Sequence, residues 1–486
     1  MGSNDVVVVG GGAAGCVVAA RLAEQGSRSV VLLEAGPDRR ANATAGMRDG
    51  WGIEREEFDW GFTAEADEYG EEKPVRRKRV LGGTSWLTRF TPRGAPADYQ
   101  EWVALGNDGW SFDDLLPYFT RLEHDHEYGH DPWHGDSGPI PSTRYPELAY
   151  APITEATLDA VQRSGFSWVD DHNRPGAVGV GRMPMNSRDG VRVTTADAYL
   201  PLGGTPANLT IRADAFVDRV VFDGSRATGV RLLDGSVVDA GWVVLCAGTF
   251  GSPPILLRSG IGPADDLRAL HFDVRVDAPV GANLADHPQV AVDFPYEGPS
   301  PDGPVLHAIA TFRSEGTASD QPPDLMFWIA DPEGDPPETG VAVVLLKPES
   351  RGRVSLRSAD PLAAPSIVLP SLDEERDVER LSEGYRRAVD IVADLAATRT
   401  DVGASPTAPS GRTELAALIR AGLFSVPHVV GTCAMGTVVD TDGRVHGTEG
   451  LSVIDASIMP TVPSGFTHIP TIMIAQRLSE RLARAL

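Results

Sequence analysis

The stretch that most constrains the fold is residues 5–15, DVVVVGGGAAG. Four consecutive valines have the composition of a strand buried on both faces. Gly10, Gly12 and Gly15 follow in GxGxxG spacing, and residues 16–24 read as a helix. Such a turn lets backbone approach a pyrophosphate at a helix N-terminus, where unpaired N–H groups and the helix dipole favour negative charge. A second apolar run, residues 29–33, ends in Glu34, 24 residues after Gly10. An acid there suits the ribose hydroxyls of an adenine dinucleotide. Glycine turns are often merely tight turns. Strand, turn, helix, strand and acid in this order point to a dinucleotide site, without separating NAD from FAD.

At 486 residues the chain exceeds one ordinary core, which predicts two domains. A net charge of −25 disfavours nucleic acid and anionic membrane surfaces as partners. Cys16, Cys246 and Cys433 form no metal-type spacing, which fits a reduced compartment and no disulfide framework. The first strand begins too early for a signal peptide, and no apolar run is long enough for a bilayer. The expectation is a soluble cytoplasmic enzyme.

Residues 35–67 read as loops with short helical pieces. The basic run at 73–79, KPVRRKR, reads as a solvated stretch, or alternatively as a positive wall near a phosphate or anionic substrate. It leads into VLGGTS at 80–85, a second glycine turn. Residues 97–119 look helical, punctuated by Gly106, Gly109 and Pro117. His124, His126, His130 and His134 lack regular metal-ligand spacing and read as a surface loop. Residues 208–215 and 217–222 read as strands with a hairpin at Asp223-Gly224. Residues 241–247 form another buried strand, ending in a third glycine-rich junction. Strand-like segments recur between 305 and 356, and residues 373–398 carry an amphipathic helical pattern. Residues 451–454 read as a strand ending at Asp455, and 470–486 as a helix with Pro470 in first position. Ile469 is a poor cap, so the N–H groups of Thr471 to Met473 are expected to seek a partner such as a cofactor carbonyl. His428 and His468 flank this region beside loops, and an imidazole suits proton transfer near neutral pH. No GxSxG elbow, HExxH or Walker lysine competes.

Taken together, these residues resemble the glucose–methanol–choline (GMC) family of FAD-dependent oxidoreductases. The resemblance rests on Gly10, Gly12 and Gly15 with Glu34, on RVLGGTS at 79–85, and on Arg93-Gly94, Asp98-Tyr99 and Trp102. It extends through His134-Gly135, Gly138-Pro139, residues 248–262 (GTFGSPPILLRSGIG), VGANL at 280–284 and Asp286-His287. It closes with the His428 segment and VIDAS at 453–457. The resemblance implies an α/β fold, α+β overall: a Rossmann-like FAD-binding domain from residues 1–144, 201–283 and 429–486, with a substrate domain from 145–200 and 284–428 carrying an antiparallel sheet. It implies FAD contacts at Gly10, Gly12, Ala13, Ala14, Gly15, Glu34 and Ala35, and at Arg79, Gly82, Gly83, Thr84, Ser85 and Thr88. Further contacts are implied at Val217, Ala247, Gly248, Ser252, Asp455, Ala456, His468, Pro470 and Thr471. His428 is then the base that takes an alcohol proton while hydride passes to the flavin, and His468 orients the substrate oxygen. No metal is implied.

Two departures stand out. The family's Asn after the second glycine turn is replaced within Trp86-Leu87-Thr88, leaving Thr88 or Ser85 as a partial substitute. No histidine occurs in that segment to link FAD covalently, so non-covalent FAD is expected. The expected partner is a small alcohol, with O2 or another carrier as electron acceptor. The alternative is hydroxynitrile cleavage over a redox-silent FAD.

Overall fold

The computed structural model describes residues 4–26, 28–52, 57–65, 72–301, 303–334 and 337–486. Parts of the 35–67 loop reading, at 53–56 and 66–67, lie outside the described residues. The opening valines form β1 (Asn4–Val9), fully buried from Val6 onward. β1 runs parallel to β2 (Val30–Leu33) on one side and to the strand Val237–Leu245 on the other. Parallel neighbours on both sides and cover on both faces leave no polar environment for a side chain, hence four valines in succession. Leu209–Arg212 extends the sheet beyond β2. The nine-residue strand Val237–Leu245 forks: Val237 to Asp239 pair antiparallel with Arg226–Leu232, and Val243 to Leu245 pair parallel with Leu451–Val453. Val217–Asp223 completes the seven strands. The helix α1 (Ala13–Ala23) lies between this sheet and the C-terminal helix His468–Ala485, joined to it by Arg21 Nε donating to Gln476 Oε1 at 2.8 Å.

A second sheet is antiparallel throughout, in the order Phe424–Ser425, Pro288–Asp293, Gly340–Leu345, Leu325–Ala330, His307–Phe312 and Gly179–Arg182. Its strands alternate with period two. In Leu325–Ala330, Leu325, Phe327 and Ile329 join the buried cluster under the long helix Glu375–Thr398, whereas Met326 and Trp328 belong to a cluster on the opposite face. Gly384 lets this helix sit close, since a Cβ there would lie 2.5 Å from Val343 Cγ1. Among the described residues no helix is long and apolar enough to cross a membrane.

Three readings of the sequence are revised. The single helical stretch at 97–119 is two helices, Pro96–Ala104 and Phe112–Leu122, separated where Gly106 and Gly109 take positive φ. The C-terminal helix begins two residues before Pro470, with Thr467 as its cap, and Thr471 N–H already donates to Thr467 O at 3.0 Å. The unspent first-turn donors are therefore those of His468 and Ile469, because Pro470 has none. Finally, His134 is buried rather than on a surface loop. Its Nδ1 lies 2.9 Å from Glu123 Oε2 and its Nε2 2.9 Å from Asp171 Oδ2. Arg144 donates to Asp125 and Asp171 in the same cluster. Glu123, Asp125 and His134 have the chemistry of metal ligands, but Arg144 and the imidazole ring already supply the positive charge these carboxylates need.

Burial opposes a charged His134, yet bonds to Asp125, Asp171 and Glu123 hold its pKa up to about 11. Asp171 is held down to about 2, against burial, by the His134 bond and Arg144. A raised imidazole adds stability in full below its ordinary 6.5 and loses it only near 11. A lowered carboxylate adds stability above its ordinary 3.8 and loses it as pH falls towards 2. The cluster therefore fails from the acid side. Removing one partner of a buried charge cluster costs about 3–5 kcal/mol. His134→Leu is expected to lower the thermal midpoint accordingly, with a shallower loss of stability below about pH 4 than the parent protein, read by calorimetry across pH.

Candidate active site

The carboxyl ends of the parallel strands converge on one cavity of about 1240 Å³, bounded on its far side by the inner face of the antiparallel sheet. This is where ligands bind in open α/β sheets. β1 ends at Gly10, whose φ of +97° turns the chain. α1 starts so close to that turn that a Cβ on Gly15 would fall 1.8 Å from Gly10 O. Gly12 caps α1 with no side-chain hydrogen bond, leaving first-turn N–H groups free at the positive end of the helix. The second glycine turn closes over the first, for a Cβ on Gly83 would lie 2.7 Å from Gly12 Cα. Between them is a cradle of bare backbone.

Glu34 follows β2 and is buried against this cradle. Its Oε2 accepts from Gly11 N–H and its Oε1 from Gly36 N–H, each at 2.8 Å. Burial pushes its carboxyl up to about 7, against the pull of those N–H groups and Arg79. Each oxygen keeps lone-pair capacity for a hydroxyl donor. Asp455, after Leu451–Val453, accepts from Gly248 N–H at 2.8 Å, Ser252 Oγ at 2.6 Å, and Ser457 N–H and Oγ at 2.8 and 2.5 Å. It clamps two strand ends together.

The other end of the cavity carries the two histidines. The His428 backbone N–H donates to Asp286 Oδ1 at 2.7 Å, and its ring Nδ1 lies 3.0 Å from Nδ1 of His287. Its Nε2 makes no hydrogen bond among the described residues, and the ring packs edge-to-face on Phe466 with centroids 4.5 Å apart. Burial, then His287 and Arg77, hold the imidazole well below its ordinary pKa. It is neutral and basic in form at pH 7. His468 opens the C-terminal helix with a buried, unpartnered Nε2, and burial with Arg192 pushes it down to about 4. Phe466 continues into a wall of rings with Phe90 and Trp328, at 5.5 Å each, and His307.

Of the expected cofactor positions, Gly10, Gly12, Ala13, Ala14, Glu34, Ala35, Arg79, Gly83, Thr84, Ser85 and Thr88 line the cavity. So do Val217, Ala247, Gly248, Asp455, Ala456, His468 and Thr471. Gly15, Gly82, Ser252 and Pro470 do not; they shape it from behind. The Ser252 hydroxyl is spent, donating to Asp455 and accepting from Ala247 N–H at 3.1 Å. The Ser85 hydroxyl donates to Gly82 O and accepts from Thr195, so it is no free substitute for the missing Asn; Thr88 Oγ1 donates to Ser85 O at 3.2 Å. The basic run at 73–79 lines the cavity along its whole length, which favours the positive wall over the solvated stretch. Arg77 within it donates to Pro427 O at 2.9 Å, beside His428. Sequence reasoning missed His307, Trp328 and Phe90. The alternation of the segments holding His307 and Trp328 was the available signal.

This geometry agrees with the comparisons. The GMC oxidoreductase family models match residues 4–289 and 348–475. The chain belongs to the GMC oxidoreductase family. It is 33% identical to the 5-(hydroxymethyl)furfural oxidase of Methylovorus sp. (strain MP688), across 98% of both chains. It is 31% identical to an oxygen-dependent choline dehydrogenase of Photobacterium profundum, across 98% of this chain and 92% of that one. The crystal structure of pyridoxine 4-oxidase from Mesorbium loti superimposes with a TM-score of 0.89 at 30% identity, covering 99% of each chain. Membership of the GMC family supports FAD as the cofactor, and the bare cradle, the Glu34 carboxylate and the elongated cavity fit a dinucleotide. Filling the cradle tests this. Gly83→Ala is expected to lower the flavin content of the purified protein at least about tenfold, measured by absorbance after gel filtration, because a Cβ there leaves no room for a diphosphate against Gly12.

Proposed function

We propose that this GMC oxidoreductase oxidises a primary alcohol carried on a small aromatic or heteroaromatic ring. The observation that carries the reading is His428: a neutral imidazole with Nδ1 engaged, Nε2 free, and a wall of Phe466, Phe90 and Trp328 beside it. A flat ring fits against such a wall, since edge-to-face ring pairs add to the apolar area they bury. The ring-borne alcohols named for the furfural and pyridoxine oxidases are consistent with it.

FAD, when bound, supplies the acceptor for the hydride that leaves the alcohol carbon. His428 Nε2 takes the hydroxyl proton. Its depressed pKa keeps it unprotonated at neutral pH, so the base is present in its working form. His468 holds the substrate oxygen in line, which matters because hydride transfer needs near-attack geometry. The free N–H groups at the start of the C-terminal helix direct positive potential into the same region, favouring negative charge there. The site residues Gly10, Gly12, Ala13, Ala14, Glu34 and Ala35 hold the adenosine half of FAD. The absence of a histidine near Thr88 supports non-covalent binding.

Anaerobic mixing of the holoenzyme with benzyl alcohol or 5-(hydroxymethyl)furfural is expected to bleach the oxidised flavin, and air to restore it if O2 is the acceptor. His428→Ala is expected to retain FAD while losing at least about 10²-fold in reduction rate. A native rate in that variant would overturn the assignment. Flavin that stays oxidised while cyanide is released from a hydroxynitrile would move the reading to hydroxynitrile cleavage.

A further inference from the structure

A neutral imidazole has one protonated and one bare nitrogen, so His428 can act as the base only if the bare one faces the cavity. Among the described residues no carboxylate bonds to its ring. Asp286 is close, but its oxygens take the backbone N–H groups of His287 and His428 and the Ser425 hydroxyl. The ring of His428 instead meets His287, Nδ1 to Nδ1 at 3.0 Å, with the two ring planes perpendicular. Two nitrogens at that separation share one proton: one donates and the other accepts.

His287 is 1% exposed. Burial, with Lys347 nearby, holds its pKa down to about 3, so it carries a single ring proton. Its Nδ1 is committed to His428. Its Nε2 is buried and has no hydrogen-bond partner among the described residues. A His428 that takes a proton at Nε2 carries its own proton at Nδ1, so at this contact His287 must offer a bare Nδ1 and keep its single proton on Nε2.

We infer that His287 is a positioning residue: its bare Nδ1 accepts from His428 Nδ1–H, which fixes His428 in the tautomer whose Nε2 is free to take the substrate proton. The inference rests on His428 being the base. During the reaction the proton moves from the substrate hydroxyl to His428 Nε2. Nothing needs to move at Nδ1, which donates to His287 before and after. A neutral acceptor behind the base orients it without the increase in basicity that a carboxylate would bring.

Anaerobic stopped-flow reduction of the holoenzyme by benzyl alcohol tests this with two variants. His287→Phe keeps a ring but removes the acceptor. His287→Gln restores it, since an amide oxygen can accept from His428. His287→Phe is expected to lose about 10²-fold in the limiting reduction rate, with the apparent Kd for alcohol within about threefold of native, and His287→Gln to recover to within about fivefold. A native rate in His287→Phe, or equal losses in both variants at full flavin content, overturns the inference. If His428→Ala also reduces its flavin at the native rate, the base reading fails instead; if His428→Ala is inactive, only the role of His287 does. Should His287→Phe not fold, ¹⁵N NMR of the histidine-labelled native holoenzyme decides, with the His428 signals assigned by their loss in His428→Ala. A protonated Nδ1 and bare Nε2 support the inference, and the reverse tautomer overturns it.

Discussion

The buried carboxylate of Asp455 is the interaction on which the rest of the site depends. Four donors from two segments converge on it: the Gly248 N–H and Ser252 hydroxyl, and the N–H and hydroxyl of Ser457. Burial pushes its carboxyl up, and those four bonds pull it back. Leaving any of these groups unpaired in the interior would cost about 1–3 kcal/mol. The clamp joins the end of Val237–Leu245 to the end of Leu451–Val453, whose three paired residues would otherwise be a weak attachment. Everything downstream, including the loop to Phe466 and the helix beginning at His468, is thereby registered against the glycine turn at Gly10. The chain separates these parts by more than four hundred residues; one carboxylate fixes their relation.

Charge in the cavity follows from the same burial. Glu34 and Asp455 are buried acids whose oxygens are met by backbone N–H groups. His428 is half-buried and His468 buried, and among the described residues no acid meets either ring, so desolvation acts on them unopposed. The acids are supplied with donors, and the histidines are kept neutral. Arg77 and Arg192 reinforce this by adding positive charge near each imidazole, and both are held by backbone carbonyls rather than by carboxylates. An ion pair in either place would cancel the field that disfavours the imidazolium.

The glycine cradle beside Glu34 was legible in the sequence because its signals are local. Gly10, Gly12, Gly15 and Glu34 sit in one strand–turn–helix–strand unit, where spacing translates directly into geometry. The C-terminal helix was misplaced by two residues because Pro470 is also tolerated later in the first turn, and Thr467 caps without a side-chain bond. His134 was misread because a histidine among Asp, Gly and Pro carries no periodicity, and its partners Glu123, Asp125 and Asp171 come from flanking strand and loop segments. The basic run gave no indication of its direction, since a charge run looks the same whether it meets water or a cavity. Only the fold sets that direction.

The aromatic wall beside His428 illustrates the remaining limit, and also which positions can vary without disturbing the core. In an antiparallel sheet covered on one face by a helix, period two fixes which residues support the core and frees the alternate ones. Phe327 and Ile329 pack under the helix Glu375–Thr398, whereas Trp328, between them, faces the cavity, where it donates to His307 Nδ1 at 3.0 Å and packs on Phe90 and Phe466. His307 lines the cavity in the same way, while its neighbour Ala308 faces the helix-covered core. A change at Trp328 or His307 therefore reshapes the site without disturbing the face that holds the sheet to its helix. On the parallel sheet no such freedom exists, because both faces are covered and the turns that follow its strands close on a single cradle. The glycine cradle is held fixed by backbone and buried carboxylates, while the aromatic wall is written on the cavity-facing register of a sheet whose other register carries the fold.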